Sequence, residues 1–335
     1  MRAGNASDLQ GGSSLKKTIV YVVLAVVVCL FGGIAYLMMR GDAGSSDVAM
    51  RQVTDSTGKE MQIPVHPKRI VFLNVSNMDM YVAAGGKDAI VGKPTSTSMS
   101  PELAKAVEPA QEVGIIHSPN IEKILALKPD LVIGVNVPFH NQLRETMEQN
   151  HIPLYINSLD SYEDTLKTMK FFGELTGQED TAKAAIEKIT KQCSDAEAMT
   201  AGKQGPKTLI LFSNPDSNNM ASSTTFSGDL LKRLHGVNIA DLDTSLKGQF
   251  IPLSLEYVVK QDPEVIFIIS MGNTPDSLAR FKDQMQTNEA WNQTAAVKNG
   301  RIYELPMDLF TVNPGSRIGD AMMYMADCLY GQGGK

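Results

Sequence analysis

Two histidines, His117 and His140, stand in polar loops that follow apolar runs, where an imidazole can coordinate a metal or hydrogen-bond a ligand. Around them the chain gathers amides, hydroxyls and thioethers: Asn74, Ser76, Asn77, Met78, Asn218, Asn219, Met220, Ser222 and Ser223. Such a lining hydrogen-bonds a large polar ligand while methionine adapts to an uneven surface. Residue by residue, the simpler account is that Asn, Ser and Thr populate loops. Phe139, Phe226, Phe250, Tyr257 and Phe310 offer apolar faces, although Tyr257 sits within a helix and reads better as core. Arg317 can pair with an anionic oxygen of a ligand or with a neighbour such as Asp320. His66, His151 and His235 fall outside these loops and read as structural. No G-x-S-x-G, H-E-x-x-H or G-x-x-x-x-G-K-[ST] occurs, so the chemistry is capture, not catalysis.

The elements that carry these loops come in two similar sets. Asn120 to Gly134 and Ser254 to Ile268 share one pattern: a capping residue, a Glu two positions on (Glu122, Glu256), and a Pro seven further (Pro129, Pro263). An acidic residue then leads into an apolar strand. Apolar runs after Lys68 and Lys207 each read as the opening strand of a lobe. The fold class expected is α/β: two Rossmann-like lobes with parallel sheets, joined by a long rigid helix and preceded by one transmembrane helix. Ligands of open α/β sheets sit beyond the carboxyl ends of the strands. That rule selects the loops 74–80, 114–119 and 136–140 in lobe one. In lobe two it selects 213–226, 248–252, 271–274 and 308–317.

Between the lobes, residues 161–200 carry helical periodicity broken at Thr176-Gly177-Gln178, which predicts one helix ending near Gly177 and a second from about Glu179 to Met199. Lobe one is expected at 53–160 and lobe two at 201–335. Residues 18–39 run without a charge, enough for the ~30 Å hydrocarbon core. Lys16 and Lys17 precede them, which leaves residues 1–17 as a cytoplasmic tail and exports everything past Arg40. A cleaved signal peptide and acylation at Cys29 are the alternatives. An uncleaved anchor fits best, with residues 40–52 as a short tether. Cys193 and Cys328 either pair or remain separate thiols. The formal net charge of -6, with no long basic run, excludes a nucleic-acid binder.

The ordered series of Val53 to Glu60, Pro67 to Val71, Asn120 to Ile133, Phe226 to Leu231, Ser254 to Glu256, Ala296 to Tyr303 and Pro314 to Arg317 resembles one family. It is that of the substrate-binding proteins of ABC importers for ferric siderophores, haem and vitamin B12. The resemblance implies a ligand cleft between the lobes and limited closure; no cofactor is expected, and the missing motifs argue against an enzyme. It also implies docking on a permease dimer with its ATPase through one exposed Glu per lobe, matched by Glu122 and Glu256. Without that match, either Glu would simply favour the positive end of its helix. The ligand-binding set expected is Asn74, Ser76, Asn77, Met78, His117, Phe139, His140, Asn219, Met220, Phe226, Phe250 and Arg317. In some members of the family a histidine, with a methionine such as Met78 or Met220 opposite, ligates haem iron. A single Arg tilts the reading toward a neutral or weakly charged chelate, with a ferric siderophore ahead of haem or a corrinoid. A divalent-metal receptor of related build is the runner-up, but it needs three or four converging ligands.

Overall fold

The computed structural model describes residues 48–214, 217–270, 279, 282, 283 and 285–331. The apolar segment 18–39, Cys29 and the predicted cleft loop 271–274 lie outside the described residues. Among the described residues no helix is long and apolar enough to cross a membrane.

The first lobe is built on a five-stranded parallel sheet of β1 (Ile70–Phe72), β2 (Ile90–Lys93), β3 (Gln111–Glu112), β4 (Leu131–Gly134) and β5 (Leu154–Ile156), in spatial order β3-β2-β1-β4-β5. Every residue of β1, β4 and β5 is buried, the signature of strands covered on both faces. A hairpin of Met50–Thr54 with Glu60–Pro64 precedes it, so ordered structure already begins inside the stretch expected to be tether.

The second lobe contains β6 (Lys207–Ser213), β7 (Asn218–Ala221), β8 (Val237–Asn238), β9 (Phe250–Pro252), β10 (Val265–Ser270) and β11 (Ile302–Glu304). Its path runs β9-β7-β6-β10-β11, with β8 also on β6. The centre is parallel, as expected. One edge is not: β7 runs antiparallel to β6 and β9 antiparallel to β7. The sequence read Asn218–Ala221 as loop because its two amides mask a strand whose inward residues are Met220 and Ala221.

The duplication extends to backbone detail. Helix α2 (Ile121–Ala126) is capped by Asn120, whose Oδ1 accepts the Lys123 N–H at 2.9 Å. Helix α7 (Leu255–Gln261) is capped by Ser254, whose Oγ accepts the Tyr257 N–H at 3.3 Å. Each segment then passes through a left-handed residue immediately before its proline, Lys128 (φ 46°) and Asp262 (φ 49°). Proline disfavours the right-handed helical region for the residue before it, so the stop is enforced twice by one device. The acid that follows ties back to the opening strand in both lobes: Asp130 N–H to Arg69 O at 2.9 Å, and Glu264 N–H to Lys207 O at 2.7 Å.

The connector is a pair of helices packed on one another, in place of one rod. Helix α4 (Tyr162–Thr176) starts at Ser161, whose Oγ accepts the Asp164 N–H, and ends at Gly177 in the left-handed region. Helix α5 (Glu179–Ala198) follows, about 30 Å long at 1.5 Å per residue. Each is fixed to both lobes. The N–H of Tyr162 donates to Asp229 of lobe two, while Phe172 packs on Phe72 and Tyr81 of lobe one. Gln178 donates to Gly85 O in lobe one, and Gln192 donates to Asp320 on the last helix, α8 (Ile318–Tyr330). Cys193 and Cys328 are free buried thiols, pushed up by burial to about 12 and about 11.

Candidate functional site

The strand-end loops of lobe one divide into an inner and an outer layer. Helix α1 (Val75–Ala83) begins directly after Asn74, so its first turn points Ser76, Asn77 and Met78 back under the sheet edge. Met78 is fully buried in the core shared with Phe72 and Phe172. Asn77 Nδ2 donates to Asn74 Oδ1, Gly134 O and Asn157 O at 3.0, 3.3 and 3.0 Å. Asn157 Nδ2 returns a bond to Asn77 Oδ1 at 2.7 Å and reaches Thr168 Oγ1 on α4 at 3.0 Å. This closed amide network joins the strand ends of lobe one to the connector. The expectation that Asn74, Ser76, Asn77 and Met78 contact a ligand is therefore corrected, because all four are buried inside the lobe.

His140 is corrected for the same reason. It is 0% exposed, and its Nδ1 accepts the Val135 N–H at 3.0 Å. That bond leaves the proton on Nε2, which is buried and faces the Ile116 backbone. Burial pushes the imidazole down to about 4, so it is neutral at physiological pH. Gly134 makes room for the ring, since a Cβ there would stand 2.9 Å from Nδ1. In lobe two, Met220 is buried on the far side of the sheet, and Phe226 opens helix α6 (Phe226–Arg233) with its ring in the core. Neither is placed to touch a ligand.

What remains outward mixes aromatic and apolar groups with polar ones such as Ser118, Asn136, Thr224 and Gln249. The hairpin Gly114–Ile115 with Ser118–Pro119 carries exposed His117 and Ile115, and the short helix α3 (Pro138–Asn141) presents Phe139, 44% exposed. The rings of His117 and Phe139 meet edge to face at 5.4 Å. In lobe two Phe250 is 47% exposed and leans on Phe212 at 4.9 Å, Asn219 is half-buried, and Met307 and Val312 are exposed. Phe310 turns inward and is buried. Arg317 pairs with Asp308 and not with Asp320: its Nη1 donates to Asp308 Oδ2 and its Nη2 to Asp308 O, both at 2.8 Å.

Sequence reasoning missed the residues that tie the lobes together. Asp79 Oδ2 accepts the Ser316 N–H at 2.6 Å. Burial raises its carboxyl, while Ser316 and Arg317 pull it back. Asn313 Nδ2 donates to Leu159 O and Thr165 Oγ1 at 3.1 and 3.2 Å. Asp160, at the carboxyl end of β5 where the chain leaves lobe one, was also passed over. A carboxylate just before the capping Ser161, in the crossover after a lobe's last strand, is a signal that could have found it. Among the described residues no three His, Cys, Asp or Glu side chains converge as a metal site.

The model of the periplasmic binding protein family matches residues 70–309, which covers both lobes and the connector. The chain belongs to the periplasmic binding protein family. Within that family it is 25% identical over 284 residues to a substrate-binding lipoprotein of an ABC transporter from Bacillus subtilis, covering 83% of this chain and 85% of the relative. It is 27% identical over 242 residues to the high-affinity haem uptake protein of Staphylococcus aureus, covering 72% of this chain and 80% of that protein. The crystal structure of that protein with haem superposes with a TM-score of 0.68, at 26% identity over 78% of this chain and 98% of the other. An ABC transporter substrate-binding protein from Listeria monocytogenes shares the fold, with a TM-score of 0.69 at 24% identity over 79% and 99% of the two chains. The family match runs from β1 of the first lobe past β11 of the second.

Both family-matched glutamates are exposed in the first turn of their helices, Glu122 on α2 and Glu256 on α7. They stand at the same distance from equivalent prolines, on elements that enter equivalent strands.

Proposed function

We propose that this chain is the solute receptor of an ABC importer. Residues 18–39 tether it to the membrane, its lobes stand on the extracytoplasmic face, and it delivers an iron chelate to a permease dimer driven by its ATPase. The observation that carries this reading is the exposed aromatic surface at the strand-end loops of both lobes, His117 with Phe139 on one and Phe250 on the other, on two lobes joined by a packed helix pair. Ligand pockets of this kind are mostly apolar with a few convergent polar groups. The haem uptake relative from Staphylococcus aureus supports an iron-bearing cargo. A ferric siderophore fits first, and haem or a corrinoid second. His117, Phe139, Asn219, Phe250 and Arg317 form the ligand-facing set. Glu122 and Glu256 dock the permease, where complementary charge supplies orientation and association rate.

The test is calorimetric titration of the purified full chain against ferric siderophores, haem and cobalamin. Saturation near one ligand per chain by one of these supports the reading. Indifference to all of them, with tight binding of zinc or manganese ions, would transfer the protein to the divalent-metal receptors.

A further inference from the structure

The charges around the strand-end loops go further than the reading above, on which this inference rests. In the described parts of those loops Arg317 is the one Lys or Arg, and Asp308 holds it through both guanidinium nitrogens. The Asp308 carboxylate offsets the charge of this cation, while the remaining guanidinium N–H groups stay available. The acidic side is not neutralised in the same way. Asp160 is exposed where the chain crosses from lobe one to α4, and the Gln249 amide of lobe two faces its carboxylate. Gln249 also donates to Thr224 O at 3.1 Å, which holds that amide on the second lobe. Asp160 therefore lies where both lobes meet, two residues before the brace begins.

We infer that the cleft selects chelates that are neutral or cationic, with Asp160 as the residue that reads their charge, and discriminates against anionic chelates. Partial burial and nearby Asp164 raise the Asp160 carboxyl, and Gln249 opposes them. A carboxylate so placed gains from a cationic neighbour and repels an anionic one. The exposed side chains of Ile115, Phe139, Phe250 and Met307 suit a cargo with apolar surface, and the donors beside them, such as Ser118, Asn136 and Thr224, are neutral. Like charge brought together in a partly closed site costs affinity, whereas apolar contact is indifferent to the sign of the cargo.

The experiment is calorimetry of the full chain with three probes: a cationic ferric trihydroxamate, a neutral ferric trihydroxamate, and the anionic ferric complexes of citrate and a tricatecholate. The parent protein is expected to bind the first two at least about tenfold more tightly than the anions. Asp160→Asn should weaken the cationic probe by about fivefold and leave the neutral one within about twofold. Asp160→Lys should narrow or reverse the preference against the anions. A thermal melt of each variant checks that it is folded. Tighter binding of an anionic chelate by the parent, or equal losses for the cationic and neutral probes in Asp160→Asn, would overturn the assignment. Failure of every chelate to bind would overturn the iron-chelate reading itself, and this inference with it.

Discussion

Asp79 on the first helix of lobe one accepts the backbone N–H of Ser316 from the last loop of lobe two, at 2.6 Å. The bond closes the far side of a junction already held by α4 and α5. Gly315 beside it adopts φ +66° and has no space for a Cβ, which would fall 2.5 Å from Asp79 Oδ2. The lobes are thus joined by one chain passage, residues 157–161 leading into the helix pair, and by the hydrogen bonds of the 313–316 loop.

Asp79→Ala should therefore lower unfolding stability by about 1 kcal/mol, because the part-buried Ser316 N–H loses its acceptor. Asp79→Asn keeps an acceptor and should lose less. The sign with pH follows from the raised carboxyl: folding disfavours its charge, so the cost appears as pH rises above the ordinary Asp range. Urea unfolding from pH 4 to 7 should show the parent losing ground to Asp79→Asn over that rise. An identical slope in both proteins would contradict the burial argument.

Asp55 behaves oppositely. Burial pushes its carboxyl up, but bonds from Thr57, Arg144 and Lys59 bring the net position below the usual value. Its contribution is present above the ordinary Asp range and is lost as pH falls through the depressed value. Arg144→Ala strands a buried carboxylate and should cost roughly 3 kcal/mol near neutral pH. Denaturant melts of that variant at pH 7 and pH 3 should show the difference shrinking in acid.

His140 titrates in a separate window. Its imidazole is held down to about 4, so the unfolded chain binds the extra proton between that value and the ordinary histidine range near 6.5. Stability should fall as pH is lowered through this interval, and His140→Gln should flatten the decline. Chelate affinity of the folded variant should stay near that of the parent, since the ring does not reach the cleft.

Much of this architecture was legible in the residues. The repeated Glu and Pro spacing marked both lobes, and the helix break at Gly177 was placed correctly because only a left-handed residue suits that cap. The cleft lining was less legible. A rule that places ligands at strand ends identifies the loops, but not which side chains of a loop turn inward. Asn77 and Met78 have the composition of a polar, adaptable wall, yet the helix that starts at Val75 rotates them into the core. The cross-lobe bonds of Asp79 and Asn313 join residues more than a hundred positions apart, and no local pattern announces them.

Docking can be separated from capture. The double variant Glu122→Lys with Glu256→Lys should abolish uptake of the chelate by cells and leave its calorimetric affinity unchanged, because both carboxylates are solvent-exposed on helix starts outside the strand-end loops. Loss of affinity in that protein would mean the helix starts serve the ligand instead.

The central claim, that both lobes grip one cargo, is tested most directly by calorimetry of the full chain bearing Phe139→Ala or Phe250→Ala, with the tightest-binding ferric siderophore as titrant. Each change removes an exposed ring from a different lobe and should weaken binding by about tenfold, about 1.4 kcal/mol, with little loss of stability. Unchanged affinity in both variants would contradict the account.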